Sequence, residues 1–343
     1  MKNKLPRVSI IIVNWNGGKI LEDCIKSLLK IDYHNWELII VDNGSTDGSE
    51  NIAANFKLIK NSKNLGFVKA NNQGLKKAKG KYILLLNNDT KVEKNFLSKL
   101  VKRVEQDPTI AVIQPKIYLM DKLGFLDNCG SFLTKIGFLH HWGFNEKERK
   151  EFGKEREIFS AKGACMLIRR QVVNKIGLFD KDFFSYFEES DFCWRVWLTG
   201  NKVLFYPGSI IYHKLGFTIR RLGAKELNYH YYKNRICSLI KNLETKNLLV
   251  ILFLHIFISI GIALAFLLKF LPQNSLLIIR AIFWNIFNLP RTLKKRAFIQ
   301  RKRTVSDKEL FRNLMYSVDF KKFFSDFKRV EQDIKRLSAE SGS

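Results

Sequence analysis

The sequence predicts an α/β fold built on a mostly parallel sheet, and three features predict it. Short apolar, β-branched runs recur at 8–13, 37–41 and 82–86, with a shorter one at 56–59. Helical stretches at 20–29, 48–55 and 68–78 separate them, the pattern of βαβ units with parallel strands. Unusual polar clusters follow three of the runs directly, where open α/β sheets bind ligands.

At 343 residues the chain is long enough for two domains, each with its own core. With 46% hydrophobic and 27% charged residues it is neither disordered nor a polytopic membrane protein. A net charge of +27 calls for an acidic partner: nucleic acid, anionic lipid or a phosphate-rich substrate. Five scattered cysteines without CxxC spacing suggest neither a zinc site nor a disulfide framework, and so a reducing, cytoplasmic setting. No signal peptide is expected, because the run at 8–13 is short and turns at Asn14-Trp15-Asn16-Gly17.

The elements then follow in order. The first run ends at Asn14 and Asn16, polar groups placed to meet a ligand. The second ends in Asp42-Asn43-Gly44-Ser45-Thr46-Asp47-Gly48. A carboxylate there can accept from a pyrimidine N3–H or ribose hydroxyls; a plain turn with a helix cap uses the same residues. The third ends in Asn87-Asn88-Asp89, where Asp89 is placed to hold Mg2+ or Mn2+, or to make only a turn. Further on, Glu188, Glu189 and Asp191 crowd the start of a helix, a repulsive grouping unless a cation or proton transfer uses it. One of them can act as general base, whereas Asp191 with Arg195 at i,i+4 can be an ion pair and Glu188 can serve the helix dipole. His213 follows strand-like runs at 203–206 and 210–212, and a lone histidine is more often structural than a ligand. Lys214, Arg220 and Arg221 suit contact with a phosphate group or a solvated basic face; His140, His141 and Trp142 offer aromatic faces for stacking a sugar, or make a core corner.

Composition shifts after residue 227. The stretch 248–268 carries no charge and is long enough to span a membrane. A second apolar stretch, 275–289, is interrupted by Arg280, and basic residues flank both. Positive flanks on one side predict a hairpin or re-entrant pair at a membrane, against a buried helical pair in a soluble domain. The tail at 319–337 reads as an amphipathic helix suited to an anionic membrane surface, or as a helix packed on its own domain. The expected divisions are 1–115 and 116–227 as the two halves of the α/β domain, 228–304 as a membrane-associated helical region, and 305–343 as the tail.

The segments 8–16, 41–47, 64–74 and 84–89 occur in an order and spacing that resembles the family-2 glycosyltransferases with a GT-A fold, especially their rhamnosyltransferase-like branch. The resemblance covers roughly residues 8–220. It implies a Rossmann-like, mostly parallel sheet with flanking helices, here followed by hydrophobic and amphipathic C-terminal helices. It implies an inverting, metal-dependent transfer from a dTDP- or UDP-sugar, dTDP-rhamnose first, to a lipid-linked glycan in cell-surface polysaccharide synthesis at the cytoplasmic face of the membrane. Asp42 would bind the base, with Asn14, Asn16, Asn64, Gly66, Asn72, Asn88 and Asp89 completing the nucleotide-sugar site. Asp89 and His213 would hold Mg2+ or Mn2+; the chain has Asn87 where the family motif begins with Asp. Glu189 takes the place of the usual base, with Asp191 as second choice. Two other classes compete: a metal-dependent nucleotidyltransferase, and a basic nucleic-acid-binding protein, which lacks any helix-turn-helix, finger or RNA-recognition signature. No G-x-G-x-x-G follows the first strand, against a Rossmann dehydrogenase.

Overall fold

A computed structural model describes residues 5–214 and 224–317. Strands β1 (Val8–Asn14), β2 (Trp36–Asp42), β3 (Lys57–Lys60) and β4 (Tyr82–Leu86) lie side by side in the order β3-β2-β1-β4, all parallel. Helices α1 (Gly18–Leu28), α2 (Ser49–Ile52) and α3 (Phe67–Lys77) make the crossovers. Every residue of β4 is buried, as a central strand covered on both faces requires. Gly74 lets α3 approach this sheet: a Cβ there would lie 2.5 Å from Ile11 Cγ2.

Beyond β4 the sheet becomes mixed. Strand β5 (Thr90–Val92) and helix α4 (Phe96–Gln106) lead to the ten-residue strand β6 (Ile110–Leu119), which runs through residue 115 without a break. Short strands β7 (Leu126–Asn128), β8 (Ser131–Thr134), β9 (Leu139–His141) and β10 (Arg156–Glu157) precede β11 (Cys165–Arg169). β11 inserts antiparallel between β4 and β6, and its register sets Cys165 opposite Leu86. After α5 (Arg170–Ile176) and α6 (Glu188–Leu198), the long strand β12 (Lys202–His213) pairs parallel with β6 and antiparallel with β5. The parallel pattern therefore holds for the first four strands, and the antiparallel β11 carries the sheet onward. One apolar cluster built from β1, β2, β4, β6, α1 and α4 forms the core beneath it.

The described residues divide into two compact units. The first falls within Met1–Phe132, His141–Phe184 and Glu188–Leu215; the second within Leu133–His140, Ser185–Phe187 and Gly216–Ser343. The second unit contains helices α7 (Ala224–Asn242), α8 (Thr245–Leu268), α9 (Pro272–Phe287), α10 (Leu289–Lys302) and α11 (Asp307–Leu314), with strand β13 (Met315–Tyr316) paired to β8. Both apolar stretches are thus helical, as α8 and α9. The expected amphipathic helix at 319–337 and the basic pair Arg220 and Arg221 lie outside the described residues.

Candidate active site

Strands β1 and β2 end in register, Asn14 opposite Asp42. The fully buried Asn14 uses that position to tie three strand ends together. Its Nδ2 donates to Asp42 Oδ1 (3.0 Å) and Ser49 Oγ (2.8 Å), and its Oδ1 accepts from Asn88 Nδ2 at 2.9 Å. Gly17 leaves room for this knot, since a Cβ would stand 2.1 Å from Asn14 Oδ1. Asp42 also accepts from Ser45 N (3.0 Å) and Ser45 Oγ (2.5 Å), so its carboxylate closes its own turn and is only 3% exposed. Asn16, at φ 53°, accepts from Thr46 N at 2.7 Å and donates its backbone N–H to Ser45 Oγ. Asn14, Asn16, Asp42 and Asn88 are therefore brought together.

Asn64 and Gly66 shape the loop beside them. Asn64 Oδ1 accepts from Asn43 Nδ2 and Gly66 N, both at 2.9 Å. Gly66 has φ +85°, and a Cβ would lie 2.5 Å from the Phe184 ring, so only glycine fits. Asn72 is different: its amide donates to Phe179 O at 3.1 Å and so serves to anchor α3.

The β12–β5 register sets His213 opposite Thr90, and Lys214 N donates to Asp89 O at 2.9 Å. This brings His213 Nε2 to 3.1 Å from Asp89 Oδ1. On the other side of the ring, Nδ1 meets Asp127 Oδ2 at 2.9 Å, and Asp127 Oδ1 pairs with Lys162 Nζ at 2.6 Å. A register shift where β6 meets β7 delivers Asp127, and the β11–β4 pairing delivers Lys162 beside the end of β4. Burial alone would push the imidazole down; the carboxylates of Asp89 and Asp127 outweigh it and hold His213 up to about 9. Burial would likewise raise Asp127, but Lys162 and His213 bring it down to about 2. Sequence reading missed Asp127 and Lys162, and neither stands in a motif that would have drawn attention to it.

Asp89 Oδ1 is buried, 3.1 Å from His213 Nε2, and a cation entering between them would take both atoms once the imidazole gives up its proton. A carboxylate oxygen and an imidazole nitrogen fixed from behind by a carboxylate suit Mn2+ or Mg2+. Among the described residues no three His, Cys, Asp or Glu side chains surround one point. A cation here would take its remaining ligands from substrate and water.

Helix α6 opens with the acids. Tyr186 and Phe187 just before it both adopt φ +68°, a left-handed geometry costing roughly 1–2 kcal/mol per residue. Asn234 of α7 offsets this by donating to Ser185 O (2.9 Å) and Tyr186 O (2.6 Å). Ser160 Oγ to Ser190 Oγ (2.9 Å) and Trp197 Nε1 to Ile158 O (3.1 Å) fix α6 against the segment leading to Lys162. Glu188 and Glu189 each keep one buried carboxyl oxygen without a partner. Burial raises the Glu188 carboxyl well above the usual range, and the Glu189 charge adds to the rise. Burial raises Glu189 too, against a backbone hydrogen bond and the nearby Lys162 ammonium. Asp191 is fully buried and pairs with Arg195 Nε at 3.0 Å, while that guanidinium also donates to the carbonyls of Ile176, Gly177 and Leu178. Trp142 packs among Phe132, Phe152 and Phe205 in the core.

Residues 9–177 match the sequence profile of the family described as Glycosyl transferase family 2. The chain carries a glycosyl transferase family 2 domain. The profile takes in β1–β4, the Asp42 turn and Asp89, and ends before the α6 acids and His213. Over 113 residues the chain is 34% identical to Glycosyltransferase GlyG of Streptococcus pneumoniae, covering 31% of this chain and 38% of the relative. Over 106 residues it is 35% identical to the putative teichuronic acid biosynthesis glycosyltransferase TuaG of Bacillus subtilis, covering 29% and 42%. The aligned segments thus span about two fifths of these curated relatives. Among solved structures, GalNAc-T7 with UDP, GalNAc and Mn2+ superposes with a TM-score of 0.57 at 20% identity, covering 70% of this chain and 48% of that one. S. aureus TarS 1–349 with UDP-GlcNAc gives 0.54 at 18% identity, covering 86% and 89%. These likenesses establish the GT-A fold for the family 2 domain.

Proposed function

We propose that this chain is an inverting glycosyltransferase that moves a sugar from a dTDP- or UDP-sugar to a lipid-linked glycan during cell-surface polysaccharide synthesis. The observation that carries the reading is the buried pair of Asp89 Oδ1 and His213 Nε2, 3.1 Å apart, with Asp127 fixing the histidine from behind. Asp42 and its turn lie at the base end, with Asn14, Asn16 and Asn88 around them. A Mg2+ or Mn2+ ion held by Asp89 and His213 would neutralise the charge of the departing nucleoside diphosphate. Glu189 takes the proton of the acceptor hydroxyl, which attacks the anomeric carbon opposite the leaving group. Lys162 stands between the two halves of the site: it pairs with Asp127 and lowers the proton affinity of Glu189. GlyG, TuaG and the UDP-containing neighbours support sugar transfer; the preference for dTDP-rhamnose rests on sequence resemblance alone. The enzyme works at the cytoplasmic face of the membrane, where the apolar helices of the second unit bring it to a lipid-linked acceptor.

Purified protein is tested with dTDP-rhamnose and a panel of UDP-sugars, with Mn2+ or Mg2+, and a lipid-linked acceptor. Nucleoside diphosphate release that disappears in Asp89→Ala is expected. No release with any donor, or Asp89→Ala matching wild type, would sink the reading; release of pyrophosphate would assign nucleotidyl transfer instead.

A further inference from the structure

Helix α8 has 24 residues, roughly 36 Å, enough to cross a bilayer. Its surroundings within the second unit do not permit that. We infer that α8, α9 and α10 lie along the surface of an anionic bilayer, dipping one apolar face into it, and that α8 does not span. This deepens the membrane attachment proposed above and does not depend on sugar transfer.

The middle of α8 is tied to irregular, polar backbone. His255, near its centre, is fully buried, and its Nδ1 donates to Ile136 O at 2.9 Å in the loop between β8 and β9. The neighbouring residue of that loop, Lys135, is exposed. A spanning α8 would carry this loop and its ammonium to the bilayer midplane, where neither is tolerated.

The helices around it are equally unsuited to hydrocarbon. α9 and α10 both pack on α7. α7 buries Lys233, Arg235 and Lys241, and Lys233 Nζ sits 4.6 Å over the Trp284 ring of α9. α9 itself has only 16 residues, roughly 24 Å, and carries an exposed Arg280 near its middle. The inward stripe of α8 is Ile251, His255, Ser259, Ala263 and Phe266. Its opposite face is the exposed one: Leu249 is 69% exposed, Phe253 70%, Phe257 68% and Leu264 55%. Phe270, just before α9, and Leu276 and Phe287 on it are exposed as well. α8 is apolar nearly all round; one side is covered by protein and the other is left exposed, so lipid can reach it along the exposed side only.

Charge selects the occupant. From Thr245 to Lys302 the chain has Lys or Arg at nine positions and Asp or Glu at none. A second copy of this face would bring like charges together, whereas anionic headgroups attract them.

The five native cysteines are all buried, so single cysteines introduced as Leu249→Cys, Phe257→Cys and Leu264→Cys accept a spin label selectively. Label depth is read by oxygen and nickel-chelate relaxation on vesicles of phosphatidylcholine with phosphatidylglycerol. The expected result is one common depth, about 5–10 Å below the headgroups, at all three sites. Partitioning should fall at least about tenfold on pure phosphatidylcholine. A central label deepest, with the outer two spread over about 22 Å of helix length, means a spanning helix and overturns the geometry. Equal partitioning onto both vesicles overturns the role of charge. Labels that stay outside lipid while the protein doubles in mass assign the face to a second copy, and absence of vesicle binding removes membrane attachment altogether. None of these readouts uses a donor or acceptor, so the sugar-transfer reading can fail or stand separately.

Discussion

Asp191 and Glu189 stand two positions apart on one helix and differ in what holds them. Asp191 is the partner of a buried Arg195, whose guanidinium is otherwise satisfied only by carbonyls. Asp191→Asn should therefore cost about 3–5 kcal/mol in urea unfolding, because it leaves Arg195 buried without its counter-charge. Glu189→Gln should leave stability at or above wild type and lower turnover by roughly 10²–10⁴, with donor KM little changed. If the turnover loss falls on Asp191→Asn at unchanged stability instead, the base is Asp191. The pH dependence follows from the raised Glu188 and Glu189 carboxyls. Above the unfolded value of 4.5 the folded chain holds protons that the unfolded chain has released, so stability falls as pH rises through the folded values. Glu188→Gln should flatten that fall, seen as a smaller drop in Tm between mildly acidic and alkaline buffer. Turnover moves the other way with pH, because the base must be deprotonated to act. A stability profile that climbs across this window would contradict the assignment.

At the scale of elements, two short segments hold the site by backbone geometry. Gly66 begins α3 at φ +85° against Phe184, so Gly66→Ala meets both a strained φ and a 2.5 Å clash. About 1–3 kcal/mol is expected, measured by denaturant midpoint. The turn into α6 carries its two left-handed residues under the grip of Asn234. Asn234→Ala should lose about 1–2 kcal/mol, and Tyr186→Gly in that background should recover part of it by removing the φ penalty. If the second substitution adds a further loss instead, the turn stores no strain that Asn234 opposes.

For the whole molecule the dominant fact is a charge of +27 together with a helical unit whose large apolar side chains face outward. Binding to anionic vesicles should weaken as salt rises, because exposed charges are screened over about 10 Å at 0.1 M. The apolar face should keep a residual, salt-insensitive fraction bound in a sedimentation assay; complete release by salt would mean that charge alone holds the protein.

The sequence by itself was enough for the α/β class, for the strand ends at Asn14, Asp42 and Asp89, and for the two apolar stretches. Those features are local: side-chain periodicity reports burial along one element, and a turn residue reports its own φ. It was enough, too, to set Asp191 beside Arg195, since one helical turn joins them. Only the tertiary structure decided that Asp127 and Lys162 stand behind His213. Their position follows from strand register between β6 and β7 and between β11 and β4, pairings of residues far apart in sequence that no local pattern encodes. The fate of the longest apolar stretch was decided in the same way. Length and composition would let residues 245–268 cross a membrane, but the hydrogen bond from His255 to the β8–β9 loop and the charged helix packed beside it leave α8 exposed along one side only. Hydrophobicity names what a helix can enter, and only its packed neighbours determine how far.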